Sequence, residues 1–399
     1  MTEKKTGVMI VVPTYWTWPT EQAGRPVEAL YDHPTPLDGE STLPRLLESL
    51  AELAGLPFMV LILTAASHPE IEAAAEGRVE RLIRPFRDHF PIIQATEADA
   101  AFIRRRHRAL AGSVRMRGYA GVRNLQLLLP HVLQTDVIVA LDDDEVVSAD
   151  YLETAVHFVG GSHRGQRVLG LAGFYLDAQG SLMLPERPRT GNPFLDKSAI
   201  MNAGLRALRA SPQRLVETPV AFGGNMVFHR ELFTRVGFDP GITRGEDIDY
   251  LINARLIGIR FWLDRELVIT HLPPHRYDTH PYLKMIEDIH RFIYEREKLR
   301  LHAGAEGPTL SAADLMPYPG RLLLDDLDDQ ARAALETLAT PELIRAHGAP
   351  AQIVAQALKR ARLAAPAYLQ FAETWPRLMK AVGEDCALKE RLASRFAQA

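Results

Sequence analysis

Val137-Ile138-Val139-Ala140-Leu141 runs straight into Asp142-Asp143-Asp144-Glu145, and this junction decides how the chain is read. The apolar half is short, β-branched and followed by charge, the pattern of a buried strand that ends at a site. Four acids at one strand tip repel one another unless something positive joins them. Hard carboxylate oxygens suit Mg2+ or Mn2+. A second acidic knot, Gly245-Glu246-Asp247-Ile248-Asp249, comes about a hundred residues later and opens a predicted helix. Two such knots in one α/β pattern point to metal-assisted chemistry on a phosphorylated ligand.

Outward from that junction, the apolar run 8–12, halted by Pro13, predicts a first buried strand of the parallel type. Residues 14–42 form a long Pro/Gly-rich loop with Tyr15, Trp16 and Trp18, and such length in a compact domain marks a functional loop. Predicted strands over 58–64, 92–95, 168–175, 220–228, 260–263 and 266–270 are interspersed with helices over 43–56, 70–83, 98–108, 118–133, 149–158, 230–236 and 247–257. This alternation predicts an α/β fold, a mostly parallel sheet with helices on both faces. From about residue 280 the texture turns helical, with a long charged helix over 282–301, a Gly/Pro break over 304–319 and an Ala/Leu/Arg-rich stretch over 322–399. The expected organisation is a catalytic domain over 1–280 and an all-helical C-terminal domain over 281–399.

The bulk properties restrict the class. A length of 399 residues and 47% hydrophobic content allow a sizeable core. The net charge of -4 carries no basic field, so nucleic acid is not an expected partner. A single cysteine, Cys386, excludes an internal disulfide framework and a Cys-rich zinc site. The polar start of the chain lacks the apolar core of a secretion signal, and no apolar run approaches the ~18–20 residues of a membrane span. A reducing cytoplasm is the expected location. Lys359, Arg360, Arg362 and Arg377 lie among apolar residues, a pattern that also suits peripheral contact with a membrane surface. Packing on the catalytic domain or on a second copy in a homo-oligomer is the preferred reading.

Open parallel sheets bind ligands beyond the carboxyl ends of their strands. That rule brings together the loop after Val12, the stretch after Leu63, the Asp142 cluster and the turn at Gly223-Gly224. Gly118-Tyr119-Ala120-Gly121-Val122-Arg123-Asn124 opens a further helix, where free N–H groups and an arginine meet an anion. A nucleoside diphosphate would use all of these, its base near Pro13 and Tyr15 and its diphosphate on a metal held at Asp142 and Asp144.

Taken in order, Pro13-Thr14-Tyr15 after a strand, Arg123-Asn124, Leu141-Asp142-Asp143-Asp144, Phe222-Gly223-Gly224-Asn225, and Gly237-Phe238-Asp239 leading into Gly245-Glu246-Asp247 resemble a glycosyltransferase of the GT-A fold, family 2 and its relatives. The resemblance covers about residues 7 to 272. It implies a GT-A, Rossmann-like domain, a UDP- or GDP-sugar donor, a hydroxyl acceptor and Mn2+ or Mg2+. Carried across, Asp144 is the expected metal ligand, with His271 joining it after the last core strand. Pro13, Thr14, Tyr15, Arg123, Asn124, Asp142 and Asp143 then fall on the donor, and Gly223 and Gly224 line the sugar pocket, where a Cβ would block close approach. Glu246 and Asp247 match the family's Glu-Asp pair, whose Asp acts as general base in inverting members.

Two features depart from that pattern. The second strand runs into Thr64-Ala65-Ala66-Ser67, without the Asp that reads uracil in the family, which leaves a guanosine donor open. The first loop is unusually long, and Tyr31-Asp32-His33-Pro34 within it matches no family role. The helical C-terminus is similar to that of retaining mannosylglycerate synthases, in which a base at Asp247 need not act.

Plainer readings stand beside each of these. The Asp142 cluster alone suits a solvated turn, the α-helical knot suits acids at a helix N-terminus, His271 suits a structural histidine, and Arg104 to Arg108 a solvated helix face. Two other functions share the layout: a sugar-1-phosphate nucleotidyltransferase, whose Gly-rich signature is missing from residues 13–20, and a non-catalytic nucleotide-sugar-binding protein, which has no need of both acidic knots.

Overall fold

The even-numbered side chains of the first strand, Val8, Ile10 and Val12, join one apolar cluster while Met9 and Val11 join another, so both faces of this strand are covered. The computed structural model describes residues 7–274, 281–303 and 309–396. Its main strands are β1 (Val8–Thr17), β2 (Phe58–Ala66), β3 (Ile92–Ala95), β4 (Val137–Ala140), β5 (Gly170–Leu176), β6 (Leu215–Glu217), β7 (Met226–His229) and β8 (Phe261–His271). They stand in the order β6-β8-β5-β7-β4-β1-β2-β3. Strands β4, β1, β2 and β3 are parallel, as are β5 and β8, while β7 and β6 run antiparallel to their neighbours. The mostly parallel α/β sheet expected from the sequence is therefore the observed architecture.

The helices that matter for the site are α1 (Leu43–Ala51), α2 (Glu72–Ile83), α3 (Glu97–Arg106), α4 (Tyr119–Val132), α5 (Lys197–Ala210), α6 (Glu246–Leu256), α7 (Pro281–Ala303), α8 (Leu327–Leu338), α9 (Pro350–Gly383) and α10 (Cys386–Phe396). Leu43, Leu46, Leu47 and Leu50 of α1 repeat at helical spacing and pack with Ile10, Val12, Val60 and Ile62. Val122, Leu125, Leu128 and Leu129 of α4 pack against Met9, Val11, Leu61 and Leu63 on the opposite face. That placement sets the N-terminus of α4 beside the carboxyl ends of β1 and β2.

Three local expectations change. Strand β1 does not stop at Pro13 but continues to Thr17, with Pro13 opposite Leu63. Pairing with β4 ends at Val11 and Ala140 and that side of the strand is paired again only at Trp16, so Pro13 lies in an open stretch where a missing N–H leaves no ladder bond unmade. The predicted strand over 220–228 is confined to Met226–His229, because 220–225 form the turn at Gly223-Gly224. The two short strands expected over 260–270 are one bulged strand, β8, whose register with β5 shifts between Leu263 and Val268. Helix α5 and strand β6 have no counterpart in the sequence reading; the Pro-rich residues before α5 and Gly204 within it obscure the helical pattern.

The C-terminal helices share the core of the sheet domain. Ile289, Phe292 and Ile293 of α7 and Ile353, Val354 and Ala357 of α9 cluster with Ile248, Ile252 and Leu263. Trp375, Met379 and Val382 of α9 and Leu388 and Leu392 of α10 join the cluster beneath α4. Arg391 and Arg395 of α10 also clamp the buried Asp99 of α3. The division expected at residues 280 and 281 lies at the edge of 275–280, outside the described residues. Among the described residues no helix is long and apolar enough to cross a membrane.

One polar contact fixes α7 on this core. Lys298 is wholly buried and donates to Asp239 at 2.8 Å, to Asp249 of α6 and to Asn253 at 3.1 Å. An ammonium taken out of water is tolerated only with such partners, and removing it strands two buried carboxylates. We expect Lys298→Ala to lower the unfolding free energy by about 3–5 kcal/mol in urea titrations. A loss under about 1 kcal/mol would mean that Asp239 and Asp249 are reached by water.

Candidate active site

The two acidic knots meet at a buried arginine. Arg123, on the first turns of α4, donates through Nη2 to Asp142 at 2.9 Å and through Nε to Glu246 at 3.2 Å, and Gln126 takes its third bond at 3.0 Å. The guanidinium is almost completely buried, which a charge accepts only when each side of its fork is occupied. Burial raises the carboxyls of Asp142, Asp143 and Glu145 above their ordinary range, and their mutual repulsion adds to it. Glu246 is pushed up to about 7 by burial, against the pull of Arg123. Arg123 itself is held firmly protonated by these acids, which outweigh its burial.

Strand register brings a second pair together. Glu145-Val146 pairs antiparallel with the end of β8, Glu145 opposite His271 and Val146 opposite Thr270, and the Leu272 amide donates to the Asp144 carbonyl at 2.8 Å. The His271 Nε2 consequently lies 3.2 Å from the Asp144 carboxylate. Burial pulls this imidazole down, but the bond and charge of Asp144 outweigh it and the net shift is upward. No three acidic, imidazole or thiol groups converge on one point among the described residues. The Asp144 carboxylate, with diphosphate oxygens and water as further ligands, suits Mn2+ or Mg2+, and the His271 imidazole suits Mn2+ better than the harder Mg2+.

Asp247, the first-turn acid of α6, receives N–H groups from Gly223 at 3.2 Å and from Ile248 at 2.8 Å. Glycine is required in the 223–224 turn: a Cβ on Gly224 would overlap the Glu145 carboxylate and the Tyr175 hydroxyl, and one on Gly223 the Arg123 guanidinium. Gly245, with φ of 71°, opens α6 in the left-handed region against Arg291.

Tyr15, Arg123, Asp142, Asp143, Asp144, Gly223, Glu246, Asp247 and His271 all line one pocket of about 310 Å3. Four other predicted site residues stand behind its wall. Pro13 is in the β1 ladder. Thr14 donates to Asp143 at 2.5 Å. Asn124 bridges the Ser113 and Phe238 backbones, and Gly224 packs on Glu145. The sequence reading missed other lining residues: Tyr175, Lys197 of α5, Arg244, and Asp288 and Arg291 of α7. Lys197 binds Asp288 and Arg244 binds Asp32, so each of these cations reaches the pocket already paired. Arg244, directly before the second knot, was within reach of motif reading; α7 residues carry no local signal.

No protein-family model matches the chain, and no curated protein matches it. Solved structures do. A mannosyltransferase from Pyrobaculum calidifontis in complex with GDP-Man and Mn2+ is 18% identical, with 99% of this chain and 88% of that chain covered and a TM-score of 0.46. S. aureus TarS 1-349 is 13% identical over 98% of this chain and 92% of that one, with a TM-score of 0.46. Glucosyl-3-phosphoglycerate synthase from Mycobacterium tuberculosis, in complex with Mg2+ and UDP, is 18% identical over 77% and 82%, with a TM-score of 0.35. These likenesses are distant in sequence and in superposition.

The raised carboxyl of Glu246 has a consequence for stability. A carboxyl that titrates near 7 when folded and near 4.5 when unfolded favours the folded state fully below pH 4.5, and that contribution is lost as pH rises through 7. Glu246→Gln, which keeps the acceptor oxygen for Arg123, is expected to lose less stability than the parent between pH 5 and pH 8. Urea midpoints at the two pH values measure the difference, and parallel slopes would place the Glu246 carboxyl in contact with water.

Proposed function

We propose that this protein is a glycosyltransferase that moves a sugar from a nucleoside-diphosphate donor, a UDP- or GDP-sugar, to a hydroxyl of a small polar molecule or glycan. The observation that carries the reading is Arg123, which draws the acids of a strand tip and of a helix N-terminus to a single pocket. A solvated acidic turn has no reason to be tied to a second acidic knot by a buried guanidinium.

Asp144 and His271 would hold Mn2+ or Mg2+, which when bound neutralises the charge that develops on the departing diphosphate. Tyr15 and Arg123 border the donor, and the Asp142 carboxylate, fixed by Arg123, faces its ribose or sugar. Of the Glu-Asp pair, Glu246 is committed to Arg123, whereas the hydrogen bonds to Asp247 among the described residues come from the backbone N–H groups of Gly223 and Ile248. In an inverting reaction Asp247 would be the group that takes the proton of the acceptor hydroxyl, a role supported by its position on the pocket wall. The glycine turn that donates to Asp247 leaves room for Arg123, Glu145 and Tyr175 to pack against it.

Melting temperatures of the purified protein with UDP, GDP, CDP, ADP or dTDP, each with and without Mn2+, test the donor. A nucleotide at 100 times its Kd should stabilise the native state by ~2.7 kcal/mol, and only with the metal present. Asp144→Asn should remove both the metal dependence of that shift and turnover of the donor. If no nucleotide raises the melting temperature, or if Asp144→Asn turns over at the parental rate, the assignment is withdrawn.

A further inference from the structure

A second cavity, of about 690 Å3, adjoins the first and shares Asp32, Tyr119 and Arg244 with it. The wall between them is a strap from the long β1–α1 loop: residues 27–31 face the outer cavity, His33 the inner one, and Asp32 both. The strap lies across the carboxyl ends of β1 and β2. The amides of Glu28 and Ala29 donate to the Ser67 carbonyl at 2.8 and 3.3 Å, just past β2. The Asp32 amide donates to the Tyr119 hydroxyl at 2.7 Å, and the Asp32 carboxylate meets the Arg244 fork at 3.1 and 3.2 Å.

At the centre of the strap the Tyr31 ring lies on Tyr15, centroids 4.4 Å apart and planes 35° from parallel, and Tyr119 closes on both rings edge-on. The Tyr31 hydroxyl oxygen accepts from the Gly118 amide at 3.0 Å, ahead of the first turn of α4, which has no side-chain cap. A planar aromatic ring packed at a tilt on Tyr15, with an acceptor oxygen on a backbone N–H, presents chemistry that a nucleobase also presents.

The strap is also poorly anchored by its own apolar groups. Leu30 is 58% exposed and Val27 37%, so Tyr31 is its single large buried side chain. The inner pocket alone sits at the floor of the roughly 300–1,000 Å3 that ligand sites occupy, small for a nucleotide sugar together with an acceptor. Withdrawing the strap merges it with the outer cavity.

We propose that Tyr31 is a built-in occupant of the nucleobase subsite, and that the base of a nucleoside diphosphate binds by displacing it from Tyr15 and taking over the Gly118 N–H and the Ser67 carbonyl. The inference rests on the donor reading above, with the base near Tyr15, and adds to it what guards the place. A closed strap lowers apparent affinity by the fraction of molecules in which it is open, so weakening the strap tightens binding.

Calorimetric titration of GDP and UDP in the presence of Mn2+ tests this with the parent, Tyr31→Ala, Tyr31→Phe and Tyr15→Ala. Tyr31→Ala should lower Kd by about 3–10-fold, since the competing ring is gone. Tyr31→Phe, which keeps the ring packing but frees the Gly118 N–H, should lower Kd by less and remains decisive if the alanine variant does not fold. Tyr15→Ala should raise Kd about tenfold through loss of stacking. A parent that binds nucleotide while both Tyr31 variants bind equally or more weakly overturns the strap but leaves the donor assignment standing. Failure of every protein, Tyr31→Ala included, to bind either nucleotide overturns both.

Discussion

Six carboxylates, Asp142 to Glu145 with Glu246 and Asp247, are gathered at one rim of the sheet, and the buried guanidinium of Arg123, bonded to Asp142 and Glu246, ties the two groups together. Coulomb repulsion between buried acids grows as water is excluded, so without Arg123 the strand tip and the α6 N-terminus would separate or take up protons. The raised carboxyls of Asp142, Asp143, Glu145 and Glu246 show how much of the cost remains. Much else follows from the same contact. Residue 223 must be glycine because Arg123 fills the space of its Cβ, and α4 must deliver its first turns to the top of β1 for the arginine to reach.

The C-terminal helices belong to this arrangement as much as the sheet does. Asp249 sits in the second acidic knot yet turns away from the pocket to Lys298 of α7. The orientation of α6, and with it the direction in which Glu246 and Asp247 point, is set by a buried ion cluster shared with the helical region. The same α7 sends Asp288 and Arg291 to the pocket wall. Acids next to one another in sequence therefore divide between stability and chemistry: Asp249 holds a helix in place, while Asp247 faces the cavity.

The long first loop has an equally structural explanation. Parallel strand ends leave a crevice of unpaired backbone groups, here Ser67 and Gly118, and an aromatic floor in Tyr15. Residues 28–33 satisfy these groups with the chain itself. Because the strap is held by polar bonds and one ring, its closure is a balance between two arrangements of similar contacts, the condition under which a segment acts as a gate.

Periodicity and composition were enough to recognise the parallel α/β sheet, the helical C-terminal region and both acidic knots, since each is a local pattern that burial enforces over consecutive residues. Motif order was likewise enough to bring Tyr15, Arg123, Asp142, Asp144, Gly223, Asp247 and His271 together, because in a parallel sheet the strand ends converge by topology. Other features depend on contacts between distant segments. The register of Glu145 against His271 places an imidazole 3.2 Å from Asp144, and only three-dimensional pairing fixes it. That Pro13, Thr14, Asn124 and Gly224 support the wall, and that Tyr31, Lys197, Arg244 and Arg291 line cavities, follows from packing between segments up to hundreds of residues apart. A one-dimensional pattern records which side chains must be buried; it does not record which buried or charged partner meets them, because that choice is made by the geometry of the assembled sheet and helices.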